Sequence, residues 1–297
     1  MSNDDQTPTH PWTILKTLQW TTDYFKRQGI ENGRSTAEVL MTHCLQCERI
    51  DLYLRHDQPL QENELARFKA LIQRRGQREP DAYITGQKEF WSLPFKVTPA
   101  VLIPRPETEC LVEAALERFP GDDAIHVLEL GTGSGAISVV LAHERPHWHI
   151  RASDISTAAL GVARQNARRI LHTEQIEFFN GSWFEPFQGD KGGFDLVISN
   201  PPYIRAGDLI ELEPEVRLFE PVAALDGGED GLACLRHIIR SAPDYLKPSG
   251  WLILEMGYDQ GRAVEDIGRQ QGAYQMVEVA KDYSGLDRVA LFQRKQH

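Results

Sequence analysis

The fold is decided by residues 126–135, which read HVLELGTGSG. An apolar run typical of a buried strand leads into Gly131, Gly133 and Gly135, and a helical pattern begins at Ala136. Glycine lets the backbone turn sharply and come close to a ligand. A strand, a glycine-rich turn and a helix in this order predict a ligand-binding loop at the carboxyl end of a strand.

The residues of this loop narrow the choice of ligand. A dinucleotide fingerprint reads G-x-G-x-x-G and a P-loop contains a lysine, whereas this loop reads G-x-G-x-G with Thr132 and Ser134 between its glycines. Glu129, just before the loop, would repel a pyrophosphate but suits a cationic amino group. Asp154 ends the next predicted strand, where a carboxylate can bind both hydroxyls of a ribose; alternatively, it only stabilises the start of the following helix. The pattern favours a ligand with an amino acid end and a nucleoside end.

Outward from the loop, strand and helix patterns alternate. This alternation predicts an α/β fold of the Rossmann-like kind, with a mostly parallel sheet and helices on both faces. The predicted strands are 126–130, 149–153, 176–179, 194–199 and 251–255, with a closing pair at 276–280 and 288–293; the predicted helices are 108–118, 136–143, 156–170 and 232–245.

The chain before this region has a different character. Apolar residues recur at helical spacing through residues 11–75, with Ser35 as a plausible N-cap and Arg75-Gly76 as the end of a helix. Residues 90–105 read FWSLPFKVTPAVLIPR, in which aromatic residues and prolines indicate a short β-hairpin or an extended connector. We therefore expect an all-α domain over 1–78, a linker with a hairpin over 79–105, and the α/β domain over 106–297.

A second motif follows the predicted strand 194–199 and reads Asn200-Pro201-Pro202-Tyr203. It could simply be a turn, since Asn and Pro both favour turns. Its place at the carboxyl end of a strand, three elements after the glycine loop along the chain, favours a role in chemistry. A conjugated nitrogen is a poor nucleophile, and two acceptors aimed at its N–H groups would orient it: the side-chain oxygen of Asn200 and the carbonyl of Pro201. Tyr203 would supply a flat wall for a planar group.

Charge and composition exclude several classes of protein. The 297 residues carry a formal charge of −11, and residues 91–297, with 20 Lys and Arg against 30 Asp and Glu, carry −10 of it. This balance weighs against a protein that wraps duplex DNA or lies on an anionic membrane. No apolar run approaches the roughly 18–20 residues that span a bilayer, and the first thirty residues do not resemble a secretory signal.

The cysteines do not predict a metal site. Cys44 and Cys47 form a C-x-x-C pair, but no second pair or matching pair of histidines follows. We expect both to be ordinary helix residues. A reduced, cytoplasmic protein without a metal fits this usage.

Taken together, these motifs resemble those of the release factor glutamine methyltransferases, the PrmC/HemK family, over nearly the whole chain. Residues 102–109, IPRPE at their centre, match the hallmark segment of that family closely, and Gly181-Ser182-Trp183-Phe184 is similar to its GDWF motif, with Ser182 in place of Asp. Further similar segments are 78–91, 220–231 and 285–288, the last with Leu286 departing from the family pattern.

The resemblance implies a class I methyltransferase that uses S-adenosylmethionine, with residues 1–78 recognising the substrate. The methyl group would go to the side-chain amide nitrogen, N5, of the glutamine in the GGQ motif of peptide chain release factors. Asn200 and Pro201 would be catalytic, and Asn200, Pro201, Pro202 and Tyr203 would hold the glutamine. The methyl donor would contact Gly131, Thr132, Gly133, Ser134, Gly135, Asp154, Trp183 and Asn200.

Some alternatives stay open from the sequence. Trp183 could be a core residue rather than a wall beside adenine. A ribosomal-protein glutamine methyltransferase would share the glycine loop and the N-P-P-Y motif, and an adenine-N6 methyltransferase acting on nucleic acid is a more distant alternative that the acidic charge disfavours. A degenerate fold kept as a binding module is disfavoured because both motifs are intact. The expected partner is a release factor, with no direct binding of nucleic acid or membrane.

Overall fold

The computed structural model describes residues 11–172 and 175–296. The chain divides into two compact units, with the break between Thr85 and Gly86. The first unit is helical and the second is α/β. Among the described residues, no helix combines the length and the apolar character needed to cross a membrane.

The helical unit consists of α1 (Ile14–Arg27), α2 (Gly33–Leu45), α3 (Arg49–Leu54), α4 (Glu62–Gly76) and the short α5 (Asp81–Thr85). Thr13 caps α1 by accepting a hydrogen bond from the backbone N–H of Lys16. The helices bury one apolar face each, as their spacing predicts. Their common core includes Ile14, Leu18, Phe25, Leu40, Met41, Phe68 and Ile72.

Two details of this unit differ from the sequence prediction. Ser35 lies within α2 and is not its N-cap, since the helix already begins at Gly33. Cys44 is a buried helix residue, but Cys47 lies beyond the helix because Gln46, in the left-handed conformation with φ 53°, ends it. The four cysteines are free. The described residues contain no group of three or more His, Cys, Asp or Glu side chains arranged to hold a metal ion.

The second unit opens with a β-hairpin of β1 (Gln87–Phe90) and β2 (Leu93–Lys96). The hairpin begins before the stretch 90–105 in which it was predicted. Its turn is Trp91-Ser92, both at positive φ, the geometry of a tight hairpin turn built here without glycine. Residues 97–107 then run without regular structure to α6 (Thr108–Arg118), whose bounds agree with the prediction.

A seven-stranded sheet forms the centre of this unit, in the order β5-β4-β3-β6-β7-β9-β8. The strands are β3 (His126–Leu130), β4 (His149–Asp154), β5 (Ile176–Asn180), β6 (Phe194–Ser199), β7 (Leu246–Glu255), β8 (Tyr274–Lys281) and β9 (Asp287–Arg294). β3 to β7 are parallel, and β9 runs antiparallel to both β7 and β8. The alternating pattern of the sequence thus leads to the expected mostly parallel sheet.

Helices and apolar side chains cover both faces of the sheet, where two buried clusters form. Besides α6 these helices are α7 (Ala136–Glu144), α8 (Thr157–Leu171), α10 (Ala233–Ser241) and α11 (Gly261–Gln271). The short helix α9 (Pro214–Phe219) buries none of its residues. Neither α9 nor α11 is predicted from the sequence, and α10 ends at Ser241 rather than at the predicted residue 245. The order of strands reverses between β3 and β6, which are neighbours in the sheet but far apart in the chain. A crevice at the carboxyl ends of these two strands is where open α/β sheets bind ligands.

Candidate active site

A cavity of about 400 Å³ lies at the carboxyl ends of β3 and β6. Of the eight residues predicted to contact the methyl donor, seven line it and Gly135 does not. Of the four residues of the N-P-P-Y motif, Asn200 and Pro202 line the cavity, whereas Pro201 and Tyr203 do not. Parallel pairing of Leu130 with Ser199 brings the two motifs together, because each begins directly after one of these residues.

The glycine loop has a conformation that glycine makes possible. Gly131, Gly133 and Gly135 have φ values of 70°, 55° and 80°, in the left-handed region that other residues rarely adopt. At Gly135 the space is also limited, because a Cβ atom would lie 3.2 Å from both Cα and Cβ of Ala163 in α8. Around Gly133 no described atom lies within 4 Å of such a Cβ. The backbone of the loop therefore presents open space where a ligand can approach.

The buried side chain of Glu129 stabilises this loop by hydrogen bonds. Its Oε2 accepts hydrogen bonds from Thr132 Oγ1 at 2.7 Å and from the backbone N–H of Ser138 at 3.1 Å. The side chain is buried, and burial raises the pKa of Glu129 to about 7 even though these hydrogen bonds act in the opposite direction. A cation in the cavity would favour its ionised form, which agrees with the predicted preference for an amino group.

Asp154 reaches the loop from the end of β4. Its Oδ2 accepts a hydrogen bond from the backbone N–H of Gly133, and its Oδ1 accepts one from the backbone N–H of Ser156, both at 2.8 Å. The bond to Ser156 means that Asp154 does support the start of α8, as the alternative interpretation had it. Burial raises the pKa of this carboxyl. Each oxygen keeps a lone pair that can accept a hydroxyl from a ligand in the cavity.

Trp183 forms a wall of the cavity next to the glycine loop. A Cβ atom added to Gly131 would lie 3.8 Å from the Trp183 ring, an ordinary van der Waals contact. The ring of Trp183 therefore lies beside the backbone of Gly131. Trp183 has a φ of 48°, and its carbonyl accepts a hydrogen bond from Ser153 Oγ. The half-buried ring lines the cavity rather than being sealed in the core.

Ser182, where the family motif has Asp, also lines the cavity. Its backbone N–H donates to Oε2 of Glu185 at 3.0 Å, which closes a short turn. The structure assigns no hydrogen bond to its side chain within the described residues.

Asn200 is held by a chain of hydrogen bonds. Its Nδ2 donates to Thr108 Oγ1 at 3.1 Å, and Thr108 Oγ1 donates to Glu255 Oε2 at 2.7 Å. The hydroxyl of Tyr203 donates to the other oxygen of Glu255 at 3.1 Å. Thr108 and Glu255 are both buried. Burial raises the pKa of Glu255, and burial together with this carboxylate raises the pKa of Tyr203.

The hallmark segment 102–109 is fixed to the cavity by a buried carboxylate. Glu220 accepts hydrogen bonds from Arg105 Nη2 at 2.6 Å and from the backbone N–H of Ile103 at 3.1 Å. The Glu220 side chain is 1 % exposed and that of Arg105 33 %. Pro104 and Arg105 line the cavity, so this ion pair sets one of its walls.

Three residues of the site were not assigned a contact from the sequence: Thr108, Glu220 and Glu255. Glu220 and Thr108 stand in segments that match the family, but nothing in one sequence says which side chains they meet. Glu255 did carry a signal, since it is an acidic residue that ends an apolar strand. β7 pairs with β6, and Leu254 lies opposite Ser199, so the end of β7 is beside Asn200.

The charges of the cavity fit a donor without phosphates. Its charged lining residues are Glu129, Asp154 and Arg105, and the last is already paired with Glu220. Two carboxylates suit an amino group and a pair of hydroxyls, whereas a phosphate would be repelled.

Comparisons with known proteins agree with this arrangement. Residues 16–86 match the PrmC N-terminal domain, and residues 108–224 match the methyltransferase small domain. A methyltransferase from Pyrococcus furiosus of known structure has a TM-score of 0.51 at 21 % identity and covers 70 % of this chain and 92 % of its own. This likeness bears on the fold, which is that of a class I methyltransferase.

Curated relatives extend the match to nearly the full length. The release factor glutamine methyltransferase of Geobacter sulfurreducens is 46 % identical over 278 residues, which is 94 % of this chain and 95 % of the relative. That of Vibrio cholerae is 45 % identical over 284 residues, which is 95 % of this chain and 97 % of the relative. The chain therefore belongs to the release factor glutamine methyltransferase family.

Proposed function

We propose that the protein transfers a methyl group from S-adenosylmethionine to the side-chain amide nitrogen, N5, of the glutamine in the GGQ motif of peptide chain release factors. The observation that carries this proposal is the position of Asn200. Its amide nitrogen is engaged by Thr108, and the residue lines the cavity that the glycine loop also lines. An acceptor for the N–H of an amide is thereby available beside a pocket suited to the donor.

The donor is held by residues that match its parts. The carboxylate of Asp154 would bind the ribose hydroxyls, Trp183 would flank the adenine, and Glu129 would attract the amino group. Residues 131–134 offer a backbone that a ligand can approach closely. When bound, S-adenosylmethionine would supply a methyl group on a positively charged sulfur, an electrophile that a correctly oriented neutral nitrogen can attack. As the nitrogen–methyl bond forms, the sulfur–methyl bond breaks and S-adenosylhomocysteine leaves, while the nitrogen loses one of its protons to water.

The N-P-P-Y motif orients the nitrogen of the glutamine. Conjugation with the carbonyl delocalises the lone pair of an amide, so the nitrogen is a weak nucleophile. Asn200 Oδ1 would accept one of its N–H groups and the carbonyl of Pro201 the other, which favours a pyramidal nitrogen with its lone pair directed at the methyl group. Pro201 is not itself a lining residue, but it stands between Asn200 and Pro202, which both line the cavity. Pro202 lines the cavity and would confine the planar amide. Tyr203, the predicted second wall, does not line the cavity, and its hydroxyl is bonded to Glu255. Positioning of this kind and stabilisation of developing charge account for most of the rate enhancement.

The helical unit contributes recognition of the protein substrate. Its surface exposes Trp12 and Trp20, which are 48 % and 46 % exposed. Trp20 stacks on Tyr24 with 5.5 Å between ring centroids. Aromatic side chains of this kind are favoured at protein interfaces, and a release factor is the partner that the family name suggests. Such a partner, and the free cysteines, agree with a cytoplasmic location.

A methylation assay tests the assignment. The protein and isotope-labelled S-adenosylmethionine are mixed in three separate reactions with a purified release factor, a ribosomal protein preparation or duplex DNA. Asn200→Ala serves as the inactive control. We expect label on the GGQ glutamine, located by mass spectrometry of the digested release factor, and none with the variant. Label confined to a ribosomal protein or to adenine would replace the proposal by one of the alternatives. Absence of donor binding would indicate a binding module.

A further inference from the structure

We propose that Thr108 and Glu255 are positioning residues that determine which end of the Asn200 amide faces the cavity. This inference rests on the proposed function, in which the oxygen of Asn200 must be presented to the substrate. Neither residue needs to touch the donor or the glutamine for this role. Thr108 is one of the residues that line the cavity, and Glu255 is buried next to it and bonds both Thr108 and Tyr203.

The amide of an asparagine is nearly symmetric in size, so packing alone distinguishes poorly between its oxygen and its nitrogen. One orientation offers an acceptor to the substrate, and the other offers a donor. A donor in that place would face the N–H groups of a glutamine amide and repel them. Something in the protein must therefore select the orientation.

The direction of the hydrogen-bond chain makes this selection. A carboxylate can only accept, so the hydroxyl proton of Thr108 is committed to Glu255 Oε2, 2.7 Å away. The Thr108 oxygen can then only accept from Asn200, and the atom that lies 3.1 Å from it must be the N–H-bearing Nδ2. Oδ1 is turned away from Thr108, and no described residue donates a hydrogen bond to it.

The same carboxylate also holds Tyr203. The Tyr203 hydroxyl donates to Glu255 Oε1 at 3.1 Å, so one buried side chain orients both ends of the N-P-P-Y motif. Burial opposes ionisation of Glu255, while the two hydroxyl donors and the positive charge of Arg288 favour it. The carboxylate of Glu255 is 1 % exposed and has no direct ion pair with another described residue, so it is costly to bury. A role in orienting Asn200 and Tyr203 explains why a buried carboxylate occupies position 255.

The test is a set of matched variants of the full chain, assayed with S-adenosylmethionine and a release factor. Thr108→Val has nearly the same shape but no hydroxyl, and Thr108→Ser keeps the hydroxyl. We expect Thr108→Val to lower kcat about 10- to 100-fold, the effect of one charge-assisted hydrogen bond. The Kd of the donor and the KM of the release factor should stay within about threefold. Thr108→Ser should retain most of the activity.

Glu255→Gln removes the charge that sets the direction of the chain. We expect this variant to lose kcat by a similar factor. The double variant with Thr108→Val should be no slower than the slower single variant, because both changes interrupt the same chain of hydrogen bonds. Tyr274→Phe is the control for loss of a buried hydroxyl, since the Tyr274 hydroxyl donates to the carbonyl of Ile239, and β8 lies at the edge of the sheet away from the site. Its kcat should equal that of the unaltered protein.

Each failure has its own signature. The inference is wrong if Thr108→Val keeps full kcat. It is also wrong if Thr108→Ser is as slow as Thr108→Val and both variants lose melting temperature and donor affinity in parallel, because the residues then only stabilise the fold. If the unaltered protein does not methylate a release factor at all, the proposed function fails instead. The same variants can then be compared on whichever substrate the assay identifies.

Discussion

The backbone N–H of Gly133 donates a hydrogen bond to Oδ2 of Asp154 across 2.8 Å. This bond joins the glycine loop after β3 to the end of β4, and the second oxygen of Asp154 is fixed by the N–H of Ser156. The carboxylate that would bind the ribose is therefore in place before any ligand arrives. A site organised in advance spends less binding free energy on ordering its own groups.

Loss of this carboxylate should affect binding of the donor more than loss of Asn200 does. We expect Asp154→Ala to weaken S-adenosylmethionine binding about 100-fold, the effect of losing hydrogen bonds from two hydroxyls to a charged group. Asn200→Ala should abolish methyl transfer while donor affinity falls less. Isothermal titration calorimetry beside a transfer assay checks both. Turnover by Asn200→Ala at the rate of the unaltered protein would contradict the mechanism.

Glu129 should make stability depend on pH. Burial raises its pKa in the folded protein from 4.5 to about 7, so the folded state binds this proton more tightly than the unfolded state does. The resulting stabilisation is fully present below pH 4.5 and is lost as the pH rises through about 7. The total change is about 3 kcal/mol.

Glu129→Gln has the same shape but no proton to lose, so it serves as the matched comparison. The free energy of unfolding of the variant minus that of the unaltered protein should grow between pH 4.5 and pH 7 and level off above about pH 8. Urea unfolding at five pH values measures the difference. A difference that stays constant with pH would mean that Glu129 titrates as an ordinary carboxyl.

Two glycines of the loop should respond differently to the same substitution. Both have positive φ, so Gly133→Ala and Gly135→Ala each lose about 1 kcal/mol from backbone strain. Only Gly135 has a neighbour in the way, with Ala163 3.2 Å from the new Cβ, and we expect about 1 kcal/mol more there. Thermal and urea unfolding of the two variants check the order. Equal losses of stability in the two variants would show that α8 shifts to accommodate the new Cβ without a measurable loss of free energy.

The buried Glu220 should matter for stability more than an exposed ion pair does. Glu220→Ala leaves Arg105 and the N–H of Ile103 without their partner, and we expect a loss of about 2–3 kcal/mol. Asp244→Asn is the control, because the pair of Lys191 with Asp244 is more than half exposed on both sides; it should cost about 0.5 kcal/mol or less. Methyl transfer by Glu220→Ala should also fall, since the 103–105 wall loses its support.

Much of the α/β unit is predictable from the sequence. The bounds of α6, β3 and β6 agree with the structure, because apolar runs there are bounded by clear turn and cap residues. The helix α11 escapes prediction since its buried side is small, with Val264 and two glycines as its buried residues. The turn of the hairpin escapes prediction because Trp91-Ser92 makes it without the usual turn residues.

The candidate site is predictable to a smaller extent. Its two motifs are visible in the sequence because glycine and proline mark them. Their meeting depends on the pairing of β3 with β6, which lies beyond the reach of local patterns. The support by Glu220 and Glu255 involves partners more than a hundred residues away, at Arg105 and Thr108. A single sequence carries no trace of such pairings.

The pairing of Leu130 with Ser199 also bears on when the protein becomes active during its synthesis. The cavity needs the loop after β3, the turn after β6 and, for Asn200, the carboxylate at the end of β7. A nascent chain exposes these in succession and can bring them together only once Glu255 has emerged and the central strands have paired. Register must be right as well, since a slip by one residue turns every side chain of a strand to the other face. Full activity should therefore appear only after β7 has been synthesised and has paired with β6.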